Sequence, residues 1–260
     1  MPTPFTHLYY AQRLLSDPAV PAGQRALLKA HRSAYLLGSV VADAHGLAGM
    51  KREDTHFYAF DRPMEDHPWR VMLKQYPTLA AATDPDWRSF LAGYVAHLSM
   101  DEVWSLQIVG PEFADRDWAP RPQRFIALHL LLITLDERDL ARLDPVLNCL
   151  LSEARPNRWL PFLDDHTLRE WDDLIYRQIR PGGASETLSV YGLRLQKTPE
   201  ELRALLDAPE RMHDDVWANV TPETTARVEA TMNDHARAQM IAYLNESKRK
   251  SATQSRKAAK

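Results

Sequence analysis

The chain is short of the residues that would commit it to several architectures. Its 260 residues include one cysteine, Cys149, so it can form no internal disulfide and no cysteine-based zinc cluster. That excludes a small disulfide-stapled scaffold and fits a reducing compartment. Glycine is scarce, at nine residues, and alternating apolar–polar runs are scarcer, which argues against a sheet-built protein. The strongest apolar run, Phe125 to Leu135, is about half of what a membrane span needs. The N-terminal "MPTPFTHLYY" lacks the basic start and apolar block of a signal peptide. The expectation is a soluble cytoplasmic protein with no transmembrane segment. Charge of one sign is lacking too: the net formal charge is -3, so nothing predicts specific nucleic-acid binding. There is no glycine-rich phosphate loop, no G-x-S-x-G elbow and no reactive cysteine context.

What is present is helical periodicity, almost throughout. The pattern predicts an all-α fold, with helices near 5–16, 22–44, 67–75, 85–108, 121–140, 145–154, 164–179, 199–207 and 222–248. Several starts pair a capping residue with proline at the first helical position: Asp84-Pro85, Asp144-Pro145, Thr198-Pro199 and Thr221-Pro222. Glu201 completes a capping box with Thr198. "TLSVYGLRL", Thr187 to Leu195, is a modest strand candidate. One helical domain is expected over 1–247. From Ser247 to Lys260 there are six basic residues and no acid, which predicts a disordered basic tail over 248–260. Such a tail can contact anionic surfaces through screened attraction.

Chemistry concentrates in the N-terminal half. "GYVAHLSMDEVW" sets His97 and Asp101 four residues apart in an otherwise apolar helix, so both face the same way. A buried carboxylate needs a partner or a cation. "FTHLYY" places His7, "YLLGSVVADAH" places Asp43 and "REDTHFYAF" places His56 among residues that should be buried. Asp43, His56, His97 and Asp101 make an N2O2 set suited to zinc, and His7 offers a fifth ligand. His45, two residues beyond Asp43, reads as a surface loop histidine, with a place behind the ligands as the alternative, and Arg52 and Glu53, just before the His56 segment, read as loop charges facing water, with a site mouth as the alternative. His129 sits on an apolar helix and reads as a hydrogen-bonded core histidine. His31, His67 and His235 read as surface residues, and "HD" at His213-Asp214 as a solvated polar segment.

The order His7, Asp43, His56, His97-x-x-x-Asp101, with "LLGSVVADAH", "THF" and "FLAGYVAHLSMDEVW" around it, resembles the zinc-dependent phospholipase C family over about residues 3–105. The S1/P1 nucleases share this general fold and metal-cluster plan. The resemblance implies a multi-helix fold with Asp43, His56, His97 and Asp101 on one zinc. It implies His7 on a neighbouring zinc, with Asp101 bridging, hence one or two Zn2+ ions. It also implies hydrolysis of a phosphoric ester, with Asp43 both ligand and proton acceptor. The substrate would be a small phosphoester or a phospholipid: a phospholipid head group, a nucleotide or another phosphodiester. Three departures stand out. The start "MPTPF" replaces the tryptophan that opens the secreted members. Ala42 precedes Asp43 where the family carries proline. The family's remaining zinc uses two further histidines and a glutamate soon after His-x-x-x-Asp, whereas no histidine follows here until His129. His166-x-x-x-Glu170 is the candidate for an additional metal. The alternative is a non-catalytic helical protein with a structural zinc and an interaction role.

Overall fold

A computed structural model describes residues 1–145, 147 and 151–258, without side chains at 152 and from 248 on. No strand occurs among the described residues. Helix α1 (Pro4–Ser16) is followed by α2 (Ala22–Ala30) and α3 (Arg32–Gly38), a 3-10 turn (Val41–Gly46) and the one-turn α4 (Glu53–His56). Next come α5 (Pro68–Gln75) and α6 (Pro85–Trp104), which runs without a break into a π-helix, Ser105–Ala114. Then follow α7 (Arg121–Leu140), α8 (Asp165–Ile179), α9 (Thr187–Leu195), α10 (Pro199–Leu206), α11 (Pro209–Met212) and α12 (Pro222–Ala258).

The expected starts form as their chemistry dictates. The Asp84 carboxylate accepts from the Trp87 backbone N–H at 2.9 Å, and Thr198 and Glu201 close a reciprocal capping box. α6 is the axis of the fold. From Ser89 to Trp104 every side chain is buried, the mark of a helix enclosed on all faces. α3 and α12 pack against it, and α1 packs on α7.

The α3–α6 crossing is backbone on backbone. A Cβ added to Gly38 would lie 1.9 Å from the Phe90 carbonyl oxygen, and one added to Gly93 would lie 2.1 Å from that of Tyr35. Only two glycines facing each other permit this approach. It brings the chain just after α3, including Asp43, against the face of α6 that carries His97.

Four expectations are corrected. The single helix predicted over 22–44 is broken at His31 and again after Gly38, where the chain tightens into the 3-10 turn. Thr187–Leu195 is helix, not strand: its β-branched and aromatic residues favour sheet only where a sheet surface exists to pack on. The helix predicted to end at 108 becomes a π-helix after Trp104 and reaches Ala114. The segment expected to be irregular from 248 continues α12 through Ala258. It holds no proline or glycine and is rich in alanine, lysine and arginine, so extending an existing helix needs no new nucleus. Of the helix expected over 145–154, residues 146 and 148–150, Cys149 among them, lie outside the described residues; a 3-10 turn spans Leu151–Glu153.

Candidate metal centre

Five side chains from four elements converge beside α6. His7 comes from α1, Asp43 from the 3-10 turn, His56 from the last residue of α4, and His97 and Asp101 from α6. The chain leaves the centre through Phe57, whose φ of 61° is left-handed and uncommon for an aromatic residue. All but Asp43 are fully buried; the Asp43 side chain is 20% exposed and faces a cavity.

The spacings are those of ligand atoms around one ion rather than of hydrogen bonds. His56 Nε2 lies 3.4 Å from Asp43 Oδ1, 3.3 Å from Asp101 Oδ2 and 3.4 Å from His97 Nε2. His97 Nε2 is 3.8 Å from Asp101 Oδ2. Four ligands at zinc–nitrogen and zinc–oxygen distances on a tetrahedron stand roughly 3.3 Å apart. His7 Nε2 approaches the other carboxylate oxygen, Asp101 Oδ1, at 3.2 Å, and its ring stacks on that of His97 with centroids 3.7 Å apart.

The donor chemistry points the same way. His97 Nδ1 lies 2.9 Å from the Ser39 carbonyl, which can only accept. His56 Nδ1 lies 3.2 Å from the Arg52 carbonyl and 3.0 Å from Thr55 Oγ1, whose own hydroxyl donates to Ala42 O at 2.8 Å. Each Nδ1 is therefore a donor, and in the neutral rings each Nε2 turns a lone pair inward. Lone pairs and carboxylates facing one another in a buried space repel unless a cation lies between them. Asp43 Oδ2, Asp101 Oδ1 and both His7 nitrogens are buried with no hydrogen-bond partner, another sign that these atoms fit a metal. His7 lacks a partner orienting its Nδ1 and is the least fixed of the set.

The electrostatics agree. Burial opposes ionisation of Asp43 and Asp101. The imidazole of His56 close by, with that of His7 added at Asp101, and the His97 ring beside them nevertheless hold both pKa values below the ordinary carboxylate range. Burial, then the neighbouring His7, lowers His97 to about 3, so it is a neutral donor at physiological pH. Burial and the Arg52 charge pull His56 down, but Asp101 and Asp43 outweigh them and its pKa is raised. Without a cation, a proton on His56 offsets part of the same negative charge.

Arg52, one turn before His56, reaches the centre. Its Nη2 donates to Asp101 Oδ2 at 2.9 Å and to the Tyr58 hydroxyl at 2.7 Å, while the guanidinium lies over the rings of Tyr58 and Phe60. Its Nη1 is buried with no partner. His45 lines the cavity with its ring edge-on to His56, centroids 5.6 Å apart. The position of Arg52 was legible in its (i, i+4) relation to His56; the part played by Tyr58 carried no sequence signal.

Other titratable groups lie elsewhere. His166 and Glu170 are exposed on α8 and join no metal-holding group among the described residues. His129 is a core residue whose Nδ1 lies 2.7 Å from Phe125 O, and His213 and Asp214 are exposed. His67 and His235 are not plain surface residues. They flank Glu102, with His67 Nδ1 at 2.8 Å and His235 Nε2 at 3.1 Å. A metal is poorly served there. Trp69 Nε1 donates to Gln239 Oε1, so the amide nitrogen of Gln239 faces and donates to His67 Nε2. That fixes the ring proton on Nδ1, where it is spent on Glu102. The group is a closed hydrogen-bond chain tying the start of α5 to α6 and α12.

The described residues are helical without strands, and the cluster gathers side chains able to hold a metal ion. A model of the family described as zinc dependent phospholipase C matches residues 6–104, a span containing His7, Asp43, His56, His97 and Asp101. No curated protein and no solved structure matches the chain. No helix among the described residues is long and apolar enough to cross a membrane.

Proposed function

We propose that the protein is a zinc-dependent hydrolase of phosphoric esters, with His7, Asp43, His56, His97 and Asp101 holding one or two zinc ions. The observation that carries this reading is the acceptor-only cluster, with one carboxylate, Asp43, and one guanidinium, Arg52, lining an open cavity. A purely structural site would be closed on all sides by its ligands; the partial exposure of Asp43 favours catalysis over the structural-zinc alternative.

Zinc in such a site supplies Lewis acidity, polarising a phosphoryl oxygen and easing deprotonation of a neighbouring water. The rest belongs to the chain. His56 and His97, fixed in one tautomer by carbonyls behind them, keep the centre in register. Asp43 stays ionised and offers its unpartnered Oδ2 to the proton of an attacking water. Arg52, clamped by Tyr58 and Asp101, has Nη1 free to donate to a phosphoryl oxygen and so stabilise charge that grows as the leaving oxygen departs. The buried walls exclude bulk water, which strengthens both interactions.

The test is metal content and turnover of bis(p-nitrophenyl) phosphate in the same samples. Wild type should hold zinc and release nitrophenolate. Asp43→Asn keeps the shape and one ligating oxygen but loses basicity, and its turnover at saturating zinc should fall by about 10²-fold or more. Near-normal turnover removes Asp43 as the base. Zinc with no turnover of any phosphoester leaves the structural-zinc reading in place.

A further inference from the structure

Two sets of three side chains in the centre bring their ligand atoms within 4.8 Å of one another among the described residues. One is His7, Asp43 and His97; the other is His56, His97 and Asp101. Both contain His97. Its Nδ1 is committed to the Ser39 carbonyl at 2.9 Å, which leaves a single lone pair, on Nε2. That lone pair serves one ion, whereas a carboxylate has two oxygens and can serve two. The two sets therefore cannot be filled together. An ion that took His97 would leave the other set with two side chains, and zinc sites are built on three or four protein ligands.

Charge points the same way. Asp43 and Asp101 bring the only carboxylates of these two sets, and one Zn2+ balances both. Arg52 then adds a positive charge of its own, with Nη2 2.9 Å from Asp101 Oδ2. Arginine keeps that charge at any pH a folded protein meets. The guanidinium is also held where it is. It donates to the Tyr58 hydroxyl at 2.7 Å, and its carbon lies 4.6 Å from the centroid of the Tyr58 ring and 4.9 Å from that of Phe60. The Asp101 side chain is fully buried and that of Arg52 is 18% exposed, so little water screens the pair. A second Zn2+ would add two more positive charges to a buried centre that already carries an excess of one.

We propose that Arg52 holds the place of a second cation, so that the centre binds one zinc ion paired with a guanidinium. Asp101 is the carboxylate the two cations share. His7, whose Nε2 faces the other Asp101 oxygen at 3.2 Å, carries no ion of its own. The proposal rests on the reading that the cluster holds zinc and is independent of whether any ester is hydrolysed.

The experiment counts ions and asks whether they sense one another. Full-length protein is stripped with a chelator, reloaded with excess Zn2+ or Co2+, desalted and assayed for bound metal by mass spectrometry. The cobalt form is then read by electron paramagnetic resonance. Wild type should hold one equivalent of either metal, with a cobalt signal whose intensity accounts for all the bound ion, as isolated ions give. Two ions bridged by a carboxylate would couple and lose that intensity. Arg52→Glu exchanges the cation for a carboxylate and should admit a second equivalent. Arg52→Gln removes the charge alone. It should bind its one ion more tightly, on the order of tenfold in competition with a chelating dye, because a fixed cation opposes the entry of another. This variant keeps the test open if Arg52→Glu does not fold. Two equivalents with a coupled signal in wild type overturn the proposal and keep the zinc reading. A single equivalent in Arg52→Glu, or weaker binding in Arg52→Gln, also overturns it. Wild type that takes up no metal removes the zinc reading and the proposal together.

Discussion

Gly93→Ala puts the reasoning about the α3–α6 crossing at risk, because two effects of opposite sign meet there. In an open helix interior, replacing glycine by alanine stabilises by about 1 kcal/mol through backbone entropy. At Gly93 the new methyl would stand 2.1 Å from the Tyr35 carbonyl oxygen and 2.8 Å from the Ser39 nitrogen. Both are backbone atoms, so no side-chain rotation relieves the clash. Moving from 2.1 Å to an ordinary contact of 3.4 Å requires the helices to part by about 1.3 Å. Overpacking of this kind costs typically about 1–3 kcal/mol, enough to reverse the propensity gain. The damage extends to the centre. The Ser39 carbonyl orients His97, and Asp43 follows four residues later, while His56 Nε2 must stay within 3.4 Å of both His97 and Asp43. A parting of that size exceeds what zinc distances tolerate, roughly 0.2 Å. Urea denaturation of zinc-loaded and chelator-treated protein, with zinc affinity measured by competition, is the assay. The variant should be less stable than wild type in both states and bind zinc more weakly. An alanine variant that is more stable and holds zinc as well as wild type would refute the backbone-contact account.

Other outcomes follow from particular residues. Asp101→Ala removes the carboxylate that touches His7, His56 and Arg52; it should lose most bound zinc, and its melting temperature should no longer respond to added zinc. Asp136 is buried, and burial outweighs the Thr187 hydrogen bond to push its pKa up to about 7. The native state therefore keeps a proton that the unfolded chain loses near pH 4. This contribution is complete below pH 4 and fades as pH rises through 7, to a limit on the order of 4 kcal/mol. Asp136→Asn keeps an acceptor for Thr187 without the charge, so its stability relative to wild type should grow between pH 5 and pH 8 in urea melts; parallel curves would contradict the assignment. Truncation after Ser247, the last residue of α12 described as buried, should leave the melting temperature within the scatter of surface changes, and a drop of many degrees would show that the extension packs.

The all-α class and most helix starts were legible because their signals are local: a capping side chain, a proline at the first position, a periodic apolar face. The His97–Asp101 pair was legible for the same reason, since four residues on a helix fix a shared face. His7, Asp43 and His56 could be singled out as polar residues in apolar segments, but their meeting depends on Gly38 and Gly93 facing each other, which no local pattern encodes. The breaks at His31 and after Gly38 carried no glycine–proline punctuation strong enough to mark them. Val190 and Tyr191 suggested a strand where the chain packs as helix. The cavity beside Asp43 was invisible in the sequence. Its walls come from Phe5, Phe113, Leu128 and Ile175, each an ordinary core residue in its own segment, and the space between them exists only in the folded molecule.

The unbroken passage from α6 into the π-helix puts the cluster and a wall of the cavity on one rod. Asp101 lies on the rod before the change of helical type, and Leu106, Val109 and Phe113 line the cavity after it. The twelve steps from Asp101 to Phe113 measure at most roughly 18 Å along the axis at the α-helical rise. A π-helix holds a wider turn than an α-helix, and one inserted or deleted residue is the usual difference between them. Deleting a residue between Trp104 and Gly110 would leave His97 and Asp101 upstream in place and re-aim wall residues on the π-helix itself, Leu106, Val109 and Phe113. The shape of the cavity is therefore open to change by single-residue insertions and deletions, a kind of variation that His97 and Asp101 never feel.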